Sequence, residues 1–166
     1  NIIAKICATL AFSAIKNNDK VGLILFSDKI DKYIPPQKGS KHVLRVIREL
    51  LVSAKILEND PIRTSTNINI ALEHLNKLHK RHGVCFLVSD FMSENFEKNI
   101  RITSKRHEIV AISIVDPREM TLPSVGLLEL EDAETGEIIL VDTTDPDFSK
   151  EFSNMVTHDE ETRKKL

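Results

Sequence analysis

The feature that most constrains the fold is the apolar run 84–88, Val-Cys-Phe-Leu-Val, which follows Gly83 and ends at Ser89 and Asp90. The run is too short for a helix and rich in β-branched and aromatic residues, which predicts a strand buried on both faces of a parallel sheet. Ligands bind beyond the carboxyl ends of strands in open α/β sheets. Ser89 and Asp90 are therefore the first candidate site residues.

Helical and strand patterns alternate along the rest of the chain. Apolar periodicity predicts helices over Ile2 to Lys16, His42 to Leu57, Asn67 to Lys80 and Ser93 to Arg106, and a last helix containing Phe148, Phe152, Met155 and Val156. Further strands are predicted over Val21 to Phe26, Ile30 to Ile34, Ile109 to Val115, Val125 to Leu130 and Glu137 to Val141. This alternation favours an α/β fold, a three-layer sandwich with a mostly parallel sheet and helices on both faces.

Three local signals refine this picture. Gly22, inside a predicted strand, indicates close approach of a neighbouring helix or backbone. The strand after Ser27 and Asp28 is expected to stop at Pro35 and to run antiparallel at the sheet edge. The turn signal Glu134-Thr135-Gly136 predicts that the last two strands form a hairpin.

Bulk composition restricts the class of protein. With 166 residues and 41% hydrophobic content, the chain is long enough for one domain with one core. The net charge of −2 offers no general attraction for nucleic acid or anionic membranes. Cys7 and Cys85 lie on apolar faces without metal-binding spacing, as buried thiols in a reducing compartment do, which favours a cytoplasmic location. No run is long enough to span a membrane, and no signal peptide is visible.

Several familiar site motifs are missing from the sequence. There is no Gly-x-Gly-x-x-Gly, no Walker A sequence and no nucleophile elbow around Ser27 or Ser89. His74, His79 and His82 lie near one another but lack zinc-binding spacing, and the basic residues around them favour a surface location.

The remaining candidates are oxygen-bearing side chains at strand or helix ends: Asp28, Thr66, Ser89, Asp90 and Asp116. Such oxygens are the ligands that Mg²⁺ prefers. A structural interpretation stands beside this one, because Asp90 and Thr66 are also suitable caps for helices starting near Ser93 and Asn67. Asp116 precedes Pro117 and is suited to a turn.

A set of short motifs extends over nearly the whole chain in a fixed order. They are Asp19 to Phe26, Ile34-Pro35-Pro36 with Lys38-Gly39, Thr66-Asn67-Ile68 with Ala71-Leu72, Val88-Ser89-Asp90-Phe91, Val115-Asp116-Pro117-Arg118-Glu119 and Glu134-Thr135-Gly136-Glu137. In this order the chain resembles the bacterial family of unknown function numbered fifty-eight, which has a von Willebrand factor A-like fold.

The resemblance implies a single von Willebrand A-like domain over residues 1–166 with a metal-ion-dependent adhesion site. In such a site an Asp-x-Ser-x-Ser loop, a threonine and an aspartate hold a divalent cation for a partner's carboxylate. By position, Thr66 is the threonine and Asp90 the aspartate, with Asp28, Ser89 and Asp116 at the rim.

The Asp-x-Ser-x-Ser loop and the strand before it should precede the first helix, and this sequence does not contain them. We therefore expect a domain truncated at the amino terminus, and at the carboxyl terminus as well. The expected site is incomplete and of low occupancy, with no cofactor in this stretch and Mg²⁺ or another divalent cation in a longer protein.

The function implied by resemblance is a protein-interaction module, not an enzyme, working with a MoxR-type AAA ATPase in assembly or chaperone-like roles. No nucleic-acid partner is expected. Self-association through the sheet edges that a missing strand exposes is a further expectation. The alternative is a Mg²⁺-dependent hydrolase that uses Asp90 and Asp28.

Overall fold

The computed structural model describes residues 2–59, 66–91, 93, 95–115, 125–131, 138–148, 150, 152 and 154. Its helices are α1 Ile2–Lys16, α2 Ser40–Asn59, α3 Ile68–Leu78 and α4 Glu97–Ser104. Its strands are β1 Val21–Phe26, β2 Ile30–Gln37, β3 Val84–Ser89, β4 Glu108–Ser113, β5 Leu127–Glu131 and β6 Ile138–Asp142. The predicted α/β class is confirmed. None of the described helices is long and apolar enough to cross a bilayer.

The chain separates into two compact units. Unit 1 comprises Asn1–Gly83 and Ser93–His107, and unit 2 comprises Val84–Met92 and Glu108–Leu166. Unit 1 contains the four helices and the first two strands, and unit 2 contains the other four strands.

The β1–β2 hairpin of unit 1 is antiparallel, as predicted, but β2 does not stop at Pro35. It continues through both prolines to Gln37, which pairs with Val21. The register shifts between Val21 and Leu23, so the prolines, which cannot donate to a ladder, lie opposite this irregularity. The predicted close approach at Gly22 is confirmed, because a Cβ there would lie 2.8 Å from Cγ of Pro36.

The core of unit 1 lies where α2 packs on α1 and on the hairpin. Val43 and Ile47 of α2 contact Ala11 of α1, whose small side chain lets the two helices approach closely. Val46 packs with Ile34, and Ile34 is only 1% exposed. Each such buried aliphatic side chain stabilises the fold by roughly 1.5–3 kcal/mol.

Helices α3 and α4 are joined by a ladder of polar side chains. Nδ2 of Asn76 donates to Oγ1 of Thr103 at 2.7 Å, and Thr103 Oγ1 donates to the carbonyl of Asn99 at 2.7 Å. Nδ2 of Asn99 in turn donates to Oδ1 of Asn69 at 2.7 Å. Thr103 is fully buried, so these bonds satisfy groups that would otherwise be costly inside the protein. The ladder fixes the register of the two helices.

In unit 2, β3 and β4 pair in parallel, from Val84 with Glu108 to Ser89 with Ser113, as predicted. The prediction that β3 is buried on both faces is wrong. Leu87 is 5% exposed, but Val84 and Phe86 are 55% and 45% exposed. Successive strand residues point to opposite faces, so the alternation means that one face of β3 is covered and the other is open.

Strands β5 and β6 form the predicted antiparallel pair, with Leu127 opposite Asp142. The predicted turn at residues 134–136 lies outside the described residues. Residues 146–148 begin the predicted last helix, and most of the rest of that segment also lies outside them.

The described strands form three two-stranded sheets, and β3–β4 is the parallel one. A mostly parallel sheet was predicted, but two of the three described strand pairs are antiparallel. Hairpin closure over a short turn is local, whereas a parallel neighbour requires a long crossover connection.

Candidate functional site: two polar clusters at strand ends

The first polar cluster lies where β1 ends and α3 begins, within unit 1. The backbone N–H of Asn67 donates to the carbonyl of Ser27 at 2.9 Å. The Ser27 hydroxyl lies 3.1 Å from Oδ1 of Asp28 and 3.2 Å from Oδ1 of Asp31. Asp28 is exposed, and Thr66, which precedes Asn67, is half-buried. The fold therefore brings Asp28 and the Thr66 segment, distant in sequence, to one edge of the unit.

The cap of α3 is Asn67, which corrects the structural interpretation of Thr66. Asn67 has the extended backbone typical of a cap (φ −120°, ψ 96°), and its Oδ1 accepts from the N–H of Asn69 at 3.0 Å. The hydroxyl of Ser93 accepts from the N–H of Ile68 at 3.4 Å. Thr66 therefore lies just before the helix, where its side chain is not used as the cap.

The second polar cluster follows β3 in unit 2. The carbonyl of Ser89 accepts from the N–H of Ile114 at 3.0 Å, which extends the parallel ladder past the strand. The Ser89 hydroxyl donates to Oδ1 of Asp90 at 3.2 Å and accepts from the N–H of Phe91 at 3.2 Å. Ser89 is 7% exposed and Asp90 is exposed, so a buried hydroxyl orients a surface carboxylate.

The expectation that Asp90 caps the next helix is wrong. The predicted helix from Ser93 begins only at Glu97, and its cap position is held by Phe96. Asp90 therefore lies directly after the strand and does not occupy the cap position of α4.

Phe91 has a positive φ of 60°, a conformation that costs a non-glycine residue about 1–2 kcal/mol. Its side chain is 7% exposed, so burial of the ring and the Ser89 hydrogen bond hold the backbone in this conformation. Strain of this kind is concentrated at functional sites. Nothing in the sequence around Phe91 signals it, because Gly, Asn and Asp are the residues usually found at positive φ.

One protein-family model matches nearly the whole chain. The family model described as "Protein of unknown function DUF58" matches residues 1–162. The chain belongs to the DUF58 family. Uncharacterized proteins of Mycobacterium bovis and Mycobacterium tuberculosis are each 25% identical to this DUF58 chain over 147 residues, 88% of it and 45% of the relative. An uncharacterized protein of Mycobacterium avium is 28% identical over 104 residues, 62% of this chain and 59% of the relative.

The DUF58 chain thus spans about half the length of the curated relatives it matches, 45% in the first of them. No solved structure shows significant similarity to it. The resemblance to this family is confirmed.

The acidic, histidine and cysteine side chains of this DUF58 chain are not grouped as a metal site among the described residues. Nowhere among them do three or more His, Cys, Asp or Glu side chains come together in a group that could hold a metal ion. Asp28 and Thr66 belong to unit 1 and Asp90 to unit 2, and Asp116 lies outside the described residues. The oxygens of Asp28, Thr66 and Asp90 are of the chemical type that a hard cation prefers.

Of the three histidines predicted to lie at the surface, His74 and His79 are half-buried and only His82 is exposed. His74 is half-buried, its ring meets that of Tyr33 edge-on at 5.1 Å, and its Nε2 is buried without a hydrogen-bond partner. His82 is exposed, as predicted. His107, which no motif singled out, is 3% exposed, and its Nε2 lies 3.2 Å from the carbonyl of His79. Burial lowers the pKa of His107.

Cys7 and Cys85 are free thiols, both half-buried. Burial raises the pKa of each thiol. A protonated, partly covered thiol reacts slowly, so both behave as the small apolar residues predicted from the sequence.

Two surface depressions among the described residues are lined by residues of neither cluster. One is lined by Lys5, Ile6, Thr9 and Leu10, and the other by Asn76, Ile102, Lys105 and Arg106. The polar clusters are therefore edges with exposed carboxylates, and neither of these depressions includes them.

Proposed function

We propose that this DUF58 chain is a protein-interaction module of the von Willebrand A-like type, built as a three-layer sandwich, and not an enzyme. The candidate partner-binding groups are Asp28 and Thr66 at the strand-end cluster of unit 1 and, separately, Asp90 at the strand-end cluster of unit 2. The observation that carries the proposal is the 2.9 Å bond from Asn67 to Ser27, because it places an exposed carboxylate beside the start of α3.

Exposed carboxylates at such an edge suit recognition of a protein surface. Asp28 and Asp31 share the Ser27 hydroxyl, and the Ser89 hydroxyl orients Asp90. Each serine hydroxyl already holds its carboxylate in one orientation. The carboxylate therefore loses little side-chain entropy when a partner's basic or hydrogen-bonding group binds to it. Fixed groups on an open edge suit adhesion, whereas a hydrolase usually binds its substrate in a concave pocket.

The proposed partner is a MoxR-type AAA ATPase in the cytoplasm, as the family resemblance implies. A divalent cation, Mg²⁺ or another, would belong to a longer protein that also contains the Asp-x-Ser-x-Ser loop, as the family resemblance implies.

The test measures binding of the chain to a purified MoxR-type ATPase by calorimetry, with and without Mg²⁺. Asp28→Asn, Thr66→Val and Asp90→Asn each remove one edge oxygen or charge and should weaken binding about tenfold, equivalent to 1.4 kcal/mol. Lys98→Gln, an exposed position on α4, is the matched control and should bind as the parent does.

Equal binding by the parent and all three edge variants would overturn the proposed edge. Mg²⁺-dependent hydrolysis of a phosphate ester that Asp90→Asn abolishes would instead favour the hydrolase.

A further inference from the structure

Helix α2 has two apolar faces. The inward face packs in the core of unit 1 and consists of Val43, Val46, Ile47 and Leu50, all buried. The outward face has Leu44, Leu51, Val52 and Ile56, which are 53%, 53%, 48% and 60% exposed. A surface helix needs one apolar stripe to pack on its core and has polar residues opposite. The outward apolar face is therefore not explained by the folding of unit 1.

The outward face has the spacing of a helix-packing surface. Leu44 and Leu51 are one heptad apart, and exposed Lys41, Arg48 and Lys55 form a second heptad row. At 3.6 residues per turn, this basic row lies between the two leucines and the pair Val52 and Ile56. Residues at this spacing lie along one side of a helix and can pack against a second helix. At 1.5 Å per residue, the surface from Lys41 to Lys55 is roughly 21 Å long.

The charge on this face has one sign. Within the described residues, the ion pairs on α2 both use Glu49, which meets Lys32 at 3.2 Å and Arg48 at 3.6 Å. Lys32, with smaller contributions from Arg48 and Arg45, lowers the pKa of Glu49, so this acid is ionised and already compensated. The remaining basic groups make the outward face positive in a chain whose net charge is −2.

The positive charge of the outward face indicates which kind of partner would bind there. A second copy of the chain would place a basic row against a basic row, which is unfavourable in a helix pair. An anionic membrane is a poorer fit, because the face contains no aromatic anchor and the opposite side of α2 is held in the core. An amphipathic helix with a leucine stripe flanked by Glu or Asp fits this face. Its leucines would pack on the exposed apolar residues of α2, and its acidic residues would pair with the basic row.

We propose that the outward face of α2 is a docking surface for an acidic amphipathic helix of another protein. The surface is separate from the Ser27–Asn67 and Ser89–Asp90 clusters, and the proposal does not depend on the function proposed for them.

The test uses three synthetic helical peptides of about 21 residues, six helical turns, with one leucine stripe and with flanks of Glu, Gln or Lys. Binding to the intact chain is followed by fluorescence anisotropy. The Glu peptide should bind about tenfold more tightly than the Gln peptide and lose affinity as salt is raised, and the Lys peptide should bind weakest.

Two double variants locate the binding surface. Leu44→Ser with Leu51→Ser should weaken binding of the Glu peptide at least about tenfold, because the apolar anchors are lost. Arg48→Glu with Lys55→Glu should transfer the preference to the Lys peptide. All four side chains are exposed, so each variant should retain the circular dichroism melt of the parent.

The matched control is Lys77→Glu with Leu78→Ser on α3, an exposed basic and apolar pair outside the proposed surface. It should bind the Glu peptide as the parent does. Equal affinity for the three peptides, or no binding of any, would overturn the proposal. So would dimerisation in sedimentation that the Leu44 and Leu51 changes abolish, or binding to phosphatidylserine vesicles without binding of the Glu peptide.

Discussion

The backbone N–H of Asn67 and the carbonyl of Ser27 are joined by a hydrogen bond of 2.9 Å, which ties the turn after β1 to the first turn of α3. Because both partners are main-chain groups, the bond survives replacement of either side chain. The side chain of Asn67 has a different task, which is to cap α3 through its bond with Asn69.

Replacing Asn67 by Ala should destabilise the chain by about 1 kcal/mol, the usual cost of losing a side-chain cap. Asn67→Asp keeps a cap oxygen and should stay within a few tenths of a kcal/mol of the parent. Urea denaturation of the three proteins measures the difference. Equal stability of the Ala and Asp variants would show that this side chain does not cap the helix.

Gly22→Ala tests the packing of β1 on the β2 prolines. The new Cβ would lie 2.8 Å from Cγ of Pro36 and 3.0 Å from the carbonyl oxygen of Ile34, so the hairpin must shift. The expected loss of stability is about 1–3 kcal/mol in thermal or urea unfolding. Gly83→Ala is the control, since no atom lies within 4 Å of its added Cβ, and it should be neutral or slightly stabilising.

The sequence predicted the elements of the fold where the periodicity was strong and local. Helix α1 and strand β1 have the predicted ends, because each has an uninterrupted pattern of apolar residues. The extension of β2 past Pro35 could not be predicted, because it depends on an irregular register that only the hairpin partner reveals. The open face of β3 at Phe86 likewise depends on which neighbours cover it, which one strand's composition does not specify.

For the candidate site residues Asp28, Ser89 and Asp90, the strand-end positions predicted from the sequence are confirmed. The cap was misplaced by one residue, because Thr66 and Asn67 are both good cap formers and only the backbone dihedrals distinguish them. The buried state of His107 had no local signal, since it comes from contact with the distant end of α3.

Two adjacent residues of β3 should differ in whether the chain still folds when each is replaced by a charged residue. Leu87→Asp places a carboxylate at a position that is only 5% exposed. The free energy needed to bury that charge is comparable to the roughly 5–15 kcal/mol by which a domain is stable. It should abolish the cooperative melt. Phe86→Asp, at a position 45% exposed, should still fold. A soluble Leu87→Asp protein with a cooperative transition would contradict the orientation of the strand.

The positive φ of Phe91 predicts an unusual ranking of small residues. Phe91→Ala and Phe91→Gly lose the same buried ring, but only glycine adopts φ near 60° without strain. The Gly variant should therefore be more stable than the Ala variant by about 1 kcal/mol. Urea unfolding gives the comparison, and a more stable Ala variant would show that the backbone is not in this conformation.

Burial lowers the pKa of His107, which gives the stability of the chain a pH dependence. Above the ordinary histidine pKa of about 6.5, His107 is neutral in the folded and the unfolded chain, and its full contribution to the free energy of unfolding is present. As the pH falls below that value the unfolded chain binds a proton that the folded chain resists, so stability decreases until the lowered folded-state pKa is passed. His107→Gln keeps an N–H donor for the carbonyl of His79 and should flatten this part of the curve.

Urea unfolding between about pH 7 and pH 5, the range in which histidines titrate, measures the slope. The control is His82→Gln, which removes an exposed imidazole and should keep most of the slope of the parent. An unchanged slope in the His107 variant would show that this residue is not the source.

The contrast between the β1–β2 hairpin and the β3–β4 pair has a consequence for how quickly each forms. The hairpin closes over residues 27–29, a contact of low sequence separation that costs little chain entropy and is reached on the microsecond timescale typical of hairpins. The parallel pair must bring together strands separated by residues 90–107, so its closure is slower. During synthesis β3 emerges before its partner, so the unpaired edge of the Val84–Ser89 strand is open to aggregation until β4 follows.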